Sequence, residues 1–272
     1  MAAEDLPQDM DGLFIEELDI FNMGMRNNLL QAGFEDFEAL VGQDDKYAYN
    51  VCQVVRKMTG QPLVATNVPV STQVNLSKLV TLATYRYITR RDQEYDNVDT
   101  PLMDHVSDWI EQQVQDPDDI IPKYSDGIDI RRWFESIDQY LGSKCGVKSK
   151  VPLLYVVKAE DDLDEDDDTL DDTTDLDMDV ARRGRLDGRY YTADNKAVWL
   201  LLKSKCHGTN MWSTISRFDR RSDGRQAYKA LSNQLLGRDV QSHIQSVANK
   251  TLQNLRYDGK SRNFPFSRYV SK

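Results

Sequence analysis

The sequence predicts a mainly α-helical protein, with two helical lobes joined by an acidic disordered linker. Apolar residues recur at helical spacing on both sides of one segment, 160–179, which holds 13 acidic and no basic side chains. The like charges repel each other, and the few apolar side chains of the segment cannot offset the conformational entropy lost on folding. This segment is therefore predicted to stay unfolded. The predicted divisions are a small N-terminal helical bundle, a helical region, the acidic linker and a basic helical domain, at 1–65, 66–158, 159–181 and 182–272.

The helices before the linker are predicted from apolar residues at positions i, i+3, i+4 and i+7. Segments with this spacing are 18–29, 47–58, 76–87, 102–114 and 130–141. Asp129 stands where an N-cap is expected for the last of them. The short apolar stretch 151–157 is compatible with a strand or a helix, because periodicity cannot decide so short a run.

The first 65 residues contain several short helical patterns, including a small one at 34–40 between the first two longer ones. A compact group of small helices of this kind resembles a sterile-alpha-motif-like bundle. We therefore expect the N-terminal part of the chain to be SAM-like.

Three further helices are predicted after the linker. Thr192 is expected to cap one that ends before Gly208, and a second runs from about Asp223 to a stop at Gly237. A third, capped by Asp239, keeps one apolar face for about four turns.

The charge of the chain is unevenly distributed. Residues 1–159 hold 15 basic and 26 acidic side chains, whereas residues 180–272 hold 19 basic and 6 acidic ones. A basic domain suits phosphate contacts, which are electrostatic and salt-sensitive. The candidate nucleic-acid contacts are Arg182, Arg183, Arg185, Arg217, Arg220, Arg221 and Arg225.

Aromatic residues lie among these arginines and offer stacking surfaces for bases. They are Tyr190, Tyr191, Trp212 and Phe218. The alternative is that the arginines solvate helix faces or pair with the acidic linker, while the aromatic residues belong to the core. The acidic linker is either a solvated spacer or a segment that competes with other ligands for a basic surface, on a partner or on the basic domain that follows it.

No pattern in the sequence indicates catalysis or metal binding. Cys206 and His207 are adjacent, but no C-x2-C or H-x3-H spacing occurs. Dinucleotide-binding, P-loop and nucleophile-elbow motifs are absent as well. We predict a non-enzymatic protein with no cofactor, no metal and no small-molecule substrate, in which Cys206 is buried or chemically inert.

Compartment is indicated by cysteine usage and by hydropathy. The 3 cysteines are far apart and form no disulfide framework, which suits a reducing compartment. The longest apolar run, 197–202, is far shorter than the roughly 20 residues a bilayer requires. We expect no membrane association and a cytoplasmic location that can extend to the nucleus.

Several short motifs resemble one protein family in the same order along the chain. They are W-F-E-S-I-D-Q-Y-L-G at 133–142, V-P-L-L-Y-V-V at 151–157, D-G-R at 223–225, A-Y-K-A-L at 227–231, L-Q-N-L-R-Y-D-G at 252–259 and F-x-F-x-x-Y-V at 264–270. This succession is similar to the Gag-like polypeptide of copia-type long-terminal-repeat retrotransposons, of the microalgal type.

The resemblance implies a capsid-forming protein that self-associates and packages RNA in virus-like particles. Members of the family commonly continue to a zinc knuckle, which this sequence lacks, so the basic domain is expected to be incomplete at its C-terminal end. That would make the chain a fragment of an element or a remnant retained by a host. The alternative function is a host helical adaptor that binds nucleic acid or an acidic protein partner, and an enzyme ranks third.

Overall fold

The computed structural model describes residues 9–44, 46–57, 67–91, 95, 98–113, 117, 120–158 and 175–237. Within this part of the chain the protein is mainly α-helical, as predicted, and no strand is formed. The α-helices are α1 Met10–Glu16, α2 Met23–Ala32, α3 Phe37–Leu40, α4 Tyr47–Lys57, α5 Val70–Ile88, α6 Thr100–Gln112, α7 Ile130–Ser143, α8 Leu176–Arg183, α9 Gly188–Cys206, α10 Trp212–Ile215 and α11 Gly224–Leu236. Two 3-10 helices, Leu153–Val157 and Ser216–Arg221, complete them.

Local sequence accounts for most of the helix boundaries. The Asp129 carboxylate accepts hydrogen bonds from the first backbone N–H groups of α7, which confirms the predicted N-cap. Asp223 caps α11 in the same way, and that helix ends at Leu236 before Gly237, as predicted. The predicted helix after Asp239 lies outside the described residues.

The apolar pattern at 18–29 predicted one helix, and that prediction is wrong. α1 ends at Glu16, and α2 begins only at Met23. Between them the chain turns through Asp19, whose φ of 52° lies in the left-handed region. Phe21, expected on the buried stripe, is 71% exposed in this turn. The Met25 backbone N–H donates to the side-chain oxygen of Asn22, and this N-cap starts the new helix.

The stretch at 151–157, left open between strand and helix, forms the first 3-10 helix. It is preceded by an isolated antiparallel bridge between Cys145 and Pro152. A tight loop lies inside this bridge, closed by hydrogen bonds from Gly146 N to Val151 O and from Lys150 N to Gly146 O, both 3.0 Å. The helix that follows buries Tyr155 in the core.

The predicted disordered linker, 159–181, is too long at its C-terminal end. The carboxylate of Asp175 caps α8, and Leu176 and Val180 of that helix are buried. These two apolar residues, at i and i+4, form a helix face that packs against the core. A count of charges along the segment does not reveal this face. Residues 159–174 lie outside the described residues.

The predicted start of the helix at 192–207 is also wrong. α9 begins at Gly188, so Thr192 lies inside it and its hydroxyl donates to the Gly188 carbonyl. Gly188 has a φ of 79°, and a Cβ there would lie 2.7 Å from the hydroxyl oxygen of Tyr87. Glycine permits both the turn into the helix and the close approach of Tyr87.

The helical regions before and after the acidic segment pack directly against each other and share one hydrophobic cluster. The first 3-10 helix lies between them and contacts α7, α8, α9 and α11. Hydrogen bonds also cross the junction, from Arg185 N to Ile88 O at 2.8 Å and from the Tyr228 hydroxyl to Asp138 at 2.6 Å. The two predicted lobes are therefore in intimate contact.

Candidate nucleic-acid interface

The structure divides the predicted arginines into exposed and buried groups. Arg217, Arg220 and Arg221 are exposed together on the second 3-10 helix, and we call these three residues the arginine turn. The turn ends at Ser222, which has a left-handed φ of 51°. The guanidinium of Arg217 lies 4.7 Å from the ring centroid of Phe218, so the aromatic face supports one of the charges.

Acidic side chains near the arginine turn are engaged elsewhere. Asp219 accepts a hydrogen bond from the Lys203 ammonium at 2.7 Å. Asp223 caps α11 and accepts a further bond from the Asn195 amide at 3.2 Å. The three arginines therefore face solvent without being neutralised by these two carboxylates.

Arg225 does not belong to an interface, although the sequence predicted a contact there. It is 6% exposed, and its guanidinium donates to the Val156 carbonyl at 2.8 Å. A guanidinium held inside the protein by a backbone carbonyl cannot reach a phosphate. Arg225 instead ties the start of α11 to the first 3-10 helix.

Arg183 is likewise buried and has a structural role. Its Nε lies 3.6 Å from Asp179, which also forms a 2.7 Å ion pair with Arg91. The Tyr85 hydroxyl donates to the same carboxylate at 2.6 Å. Burial and the charge of Asp179 both raise the pKa of Tyr85, so its proton is retained and the bond persists at neutral pH. This network joins α8 to α5.

Arg182 and Arg185 lie where the ends of α5 and α8 meet the start of α9. Arg182 is exposed, and its carbonyl accepts a hydrogen bond from the Lys158 ammonium at 2.6 Å. The Arg185 guanidinium lies 4.3 Å from the centroid of the Tyr87 ring and pairs with Asp187 at 2.7 Å.

Arg90 and Arg189 extend this region. The hydrogen bond from Arg185 lowers the pKa of Asp187, and the charges of Arg185 and Arg90 lower it further, which places Arg90 nearby. Arg189, exposed at the start of α9, donates to the Val41 carbonyl. We call Arg90, Lys158, Arg182, Arg185 and Arg189 the junction cations. Arg90 and Lys158 carried no sequence signal, because they stand far from the other three along the chain.

The predicted stacking residues are mostly packed. Tyr190 is 5% exposed, and the Trp212 ring lies 4.9 Å from the His207 ring and 6.3 Å from that of Trp199. Trp133 and Trp199 are each 1% exposed and belong to the core. Phe218, beneath Arg217, remains half-buried and adjoins the arginine turn.

The cysteines are unsuited to nucleophilic chemistry. Each is buried, as predicted for Cys206, and burial raises the pKa of the thiols of Cys145 and Cys206 to about 11 and about 12. Both thiols therefore stay protonated at neutral pH. Within the described ranges, no group of three or more His, Cys, Asp or Glu side chains is arranged to hold a metal ion.

The described helices include none that is both long enough and apolar enough to span a bilayer. In comparisons with known proteins, no family model, no curated protein and no solved structure matches this chain. The resemblance to sterile-alpha-motif bundles and to copia-type Gag-like polypeptides therefore stays a prediction from the sequence.

Proposed function

We propose that this protein is a Gag-like structural polypeptide that associates with copies of itself and contacts RNA through cationic surfaces, without catalysing a reaction. The observation that carries the proposal is the arginine turn, defined above. It presents three guanidinium groups on one short helix whose neighbouring carboxylates are engaged by Lys203, Asn195 and the α11 backbone. The order of Gag-like motifs along the chain supports the same function.

The chemistry of the arginine turn suits phosphates more than base edges. Guanidinium groups bind phosphate oxygens in a bidentate manner, and such contacts are independent of sequence. The half-buried Phe218 ring holds the Arg217 guanidinium over its face. The exposed members of the junction cations, Arg90, Arg182 and Arg189, add a second cationic surface.

An RNA-binding experiment tests the arginine turn. The variant is the triple substitution Arg217→Ala, Arg220→Ala and Arg221→Ala. Its affinity for single-stranded RNA is measured by fluorescence anisotropy at several salt concentrations. If all three residues contact phosphates, the slope of log affinity against log salt should become shallower by about 2, since each phosphate contact contributes about 0.7.

The matched control removes three exposed cations elsewhere, Lys123, Arg131 and Arg132. It changes the net charge by the same amount and should leave most of the slope in place. Arg225 is kept in both variants, because its buried bond to Val156 would confound binding with folding. Equal slopes for the two variants would exclude the arginine turn from RNA contact.

Self-association is tested by sedimentation velocity over a wide range of protein concentration. A structural polypeptide should form larger species as concentration rises, and negative-stain images should show assemblies. A monomer at every concentration would contradict the proposal and favour the helical adaptor.

A further inference from the structure

A polar groove lies beside the arginine turn, between α10 and α11. Its volume is about 630 Å³, and it is open to solvent. Six residues line it, namely Ser213, Thr214, Arg217, Ala230, Asn233 and Gln234. Because Arg217 also belongs to the arginine turn, this groove and the proposed phosphate contacts form one continuous surface.

The groove is formed by helices that share a core. One wall is a face of α11, whose lining residues stand at i, i+3 and i+4, namely Ala230, Asn233 and Gln234. The opposite wall comes from α10 and the start of the second 3-10 helix. Beneath the walls, Ile215 and Leu231 are fully buried. Packing of α10 on α11 therefore sets the width of the groove.

A hydrogen bond between the walls orients one of the amide side chains. The Thr214 hydroxyl donates to the amide oxygen of Gln234. This bond uses the oxygen of the amide and not its NH₂ group, which still presents two donors. Asn233, the preceding residue, is also exposed and presents a second amide. A side chain that is already held loses less conformational entropy when a ligand binds.

The composition of the lining selects the kind of ligand. None of the six lining residues is acidic, so the groove suits neither a hard metal cation nor a basic peptide. Ala230 is its one apolar member, which leaves little surface for the apolar anchors of a protein partner. A nucleotide fits better, because its phosphate suits the Arg217 guanidinium and its base carries hydrogen-bonding groups for the amides.

Among the four bases of RNA, adenine is the best match for an amide. An amide pairs in a bidentate manner with a base edge that places a donor beside an acceptor. Adenine offers this arrangement on two edges, since its 6-amino group lies between N1 and N7. Guanine, cytosine and uracil offer it on the Watson–Crick edge and not on the Hoogsteen edge. Unstacked bases of a single strand expose both edges, so an open groove lined by amides favours adenine.

We propose that the α10–α11 groove binds an adenine base of single-stranded RNA through Asn233 and Gln234, while Arg217 holds a phosphate of the same strand. This inference rests on the RNA contact in the proposed function and adds a base preference to it. The arginine turn alone contacts phosphates and is indifferent to sequence. The groove supplies the contacts that distinguish one base from another.

The test measures the affinity of the full chain for three single-stranded RNAs by fluorescence anisotropy. Two of them are CA and CU repeats of equal length, about 12 nucleotides, which carry equal charge and cannot pair with themselves. The unmodified protein should bind the CA repeat at least about fivefold more tightly, as expected for one bidentate base contact. The third RNA carries purine, which lacks the 6-amino group, in place of each adenine. It should bind as weakly as the CU repeat.

The groove variant carries Asn233→Ala and Gln234→Ala. Both residues are exposed on α11, and alanine is favourable in a helix, so the variant should fold and keep the same net charge. Its affinity for the CA repeat should fall to that for the CU repeat, whereas its affinity for the CU repeat and its salt dependence should be unchanged. The matched control, Asn50→Ala with Gln139→Ala, removes two exposed amides from α4 and α7 and should keep the preference.

The outcomes separate this inference from the proposed function. If the unmodified protein binds the CA and CU repeats equally, or if the groove variant keeps the preference, the adenine contact is wrong while the RNA contact stands. A groove variant that loses affinity for both repeats alike would also contradict the adenine contact, because its amides would then not distinguish bases. If the unmodified protein binds none of the three RNAs, the proposed RNA contact and this inference are both wrong.

Discussion

At the scale of single residues, the Asp194 carboxyl is the most unusual buried group. It is 2% exposed on α9, and the Tyr155 hydroxyl donates to it at 2.9 Å. Burial raises the pKa of Asp194 to about 6, although the hydrogen bond from Tyr155 opposes the rise. Gly146 packs against the same carboxyl, where a Cβ would lie 2.2 Å from Asp194 Oδ1. This one acid therefore fixes both the 146–150 loop and the first 3-10 helix.

Asp194 should make stability depend on pH. Its ordinary pKa is 3.8, so the folded protein, with a pKa of about 6, binds this proton more tightly than the unfolded chain does. The contribution of Asp194 to the free energy of unfolding should therefore decrease as pH rises from about 4 to about 6, by up to ~3 kcal/mol, and stay constant above that range.

Urea unfolding of the unmodified protein and of Asp194→Asn at several pH values measures this effect. Since asparagine cannot titrate, the stability of the variant relative to the unmodified protein should improve across that pH interval. A difference between the two proteins that is the same at every pH would contradict the assignment.

The arginines show how the same residue type takes different roles. Arg221 is exposed, whereas Arg225, four positions further along the chain, is buried against the Val156 carbonyl. Their partners differ because α11 packs on the first 3-10 helix, a contact that joins residues 69 positions apart. No local pattern at 217–225 distinguishes them.

At the scale of elements, α8 is attached to the rest of the protein mainly by charge and by two apolar residues. The Asp179 carboxylate pairs with Arg91 and Arg183 and accepts a hydrogen bond from the Tyr85 hydroxyl. The side chains of Asp179 and Arg91 are each only 4% exposed. Removing one member of a buried ion pair is more damaging than replacing the whole pair, since a charge is left inside the protein.

Asp179→Ala should therefore lower the free energy of unfolding by about 3 to 5 kcal/mol. Hydrogen exchange should show the earliest loss of protection in α8, because its link to α5 is cut. Asp104→Ala is the control, since Asp104 pairs with Lys78 at 2.6 Å but is 46% exposed, and such surface pairs contribute about 1 kcal/mol or less. Equal effects of the two substitutions would exclude a special role for the Asp179 network.

At the scale of the whole molecule, the acidic segment does not separate two independent bodies. Side chains on opposite sides of it bond directly, as in Tyr228 with Asp138 and Arg91 with Asp179. The apolar cluster likewise includes residues from both sides. The regions before and after the segment are therefore expected to unfold together.

Leu79→Ala tests this cooperativity. Leu79 of α5 is fully buried, and its truncation should cost about 2 to 5 kcal/mol. Hydrogen exchange of α9, more than a hundred positions further along the chain, should reveal the same loss of stability as exchange of α5. If α9 retained its full protection while α5 lost its own, the two regions would be separate folding units.

The sequence by itself determined the helical class, the positions of most helices before the acidic segment, the cap at Asp129 and the end of α11 at Gly237. Periodicity and capping are local properties, written within a few residues of where they act. The same locality explains the errors. The turn at Asp19 and the early start of α9 at Gly188 depend on backbone conformation and on packing with distant side chains such as Tyr87.

Only the tertiary structure decided which charges are available to a partner. Arg225 is buried against the Val156 carbonyl, 69 positions earlier, and Arg183 is buried beside Asp179, which pairs with the distant Arg91. Arg90 and Lys158 join a cationic region that no local motif marks. The exposure of Phe21, at 71%, was equally hidden, because local spacing alone assigns an apolar residue to the buried face of a helix. Burial depends on contacts between remote segments, and such contacts exist only once the chain has folded.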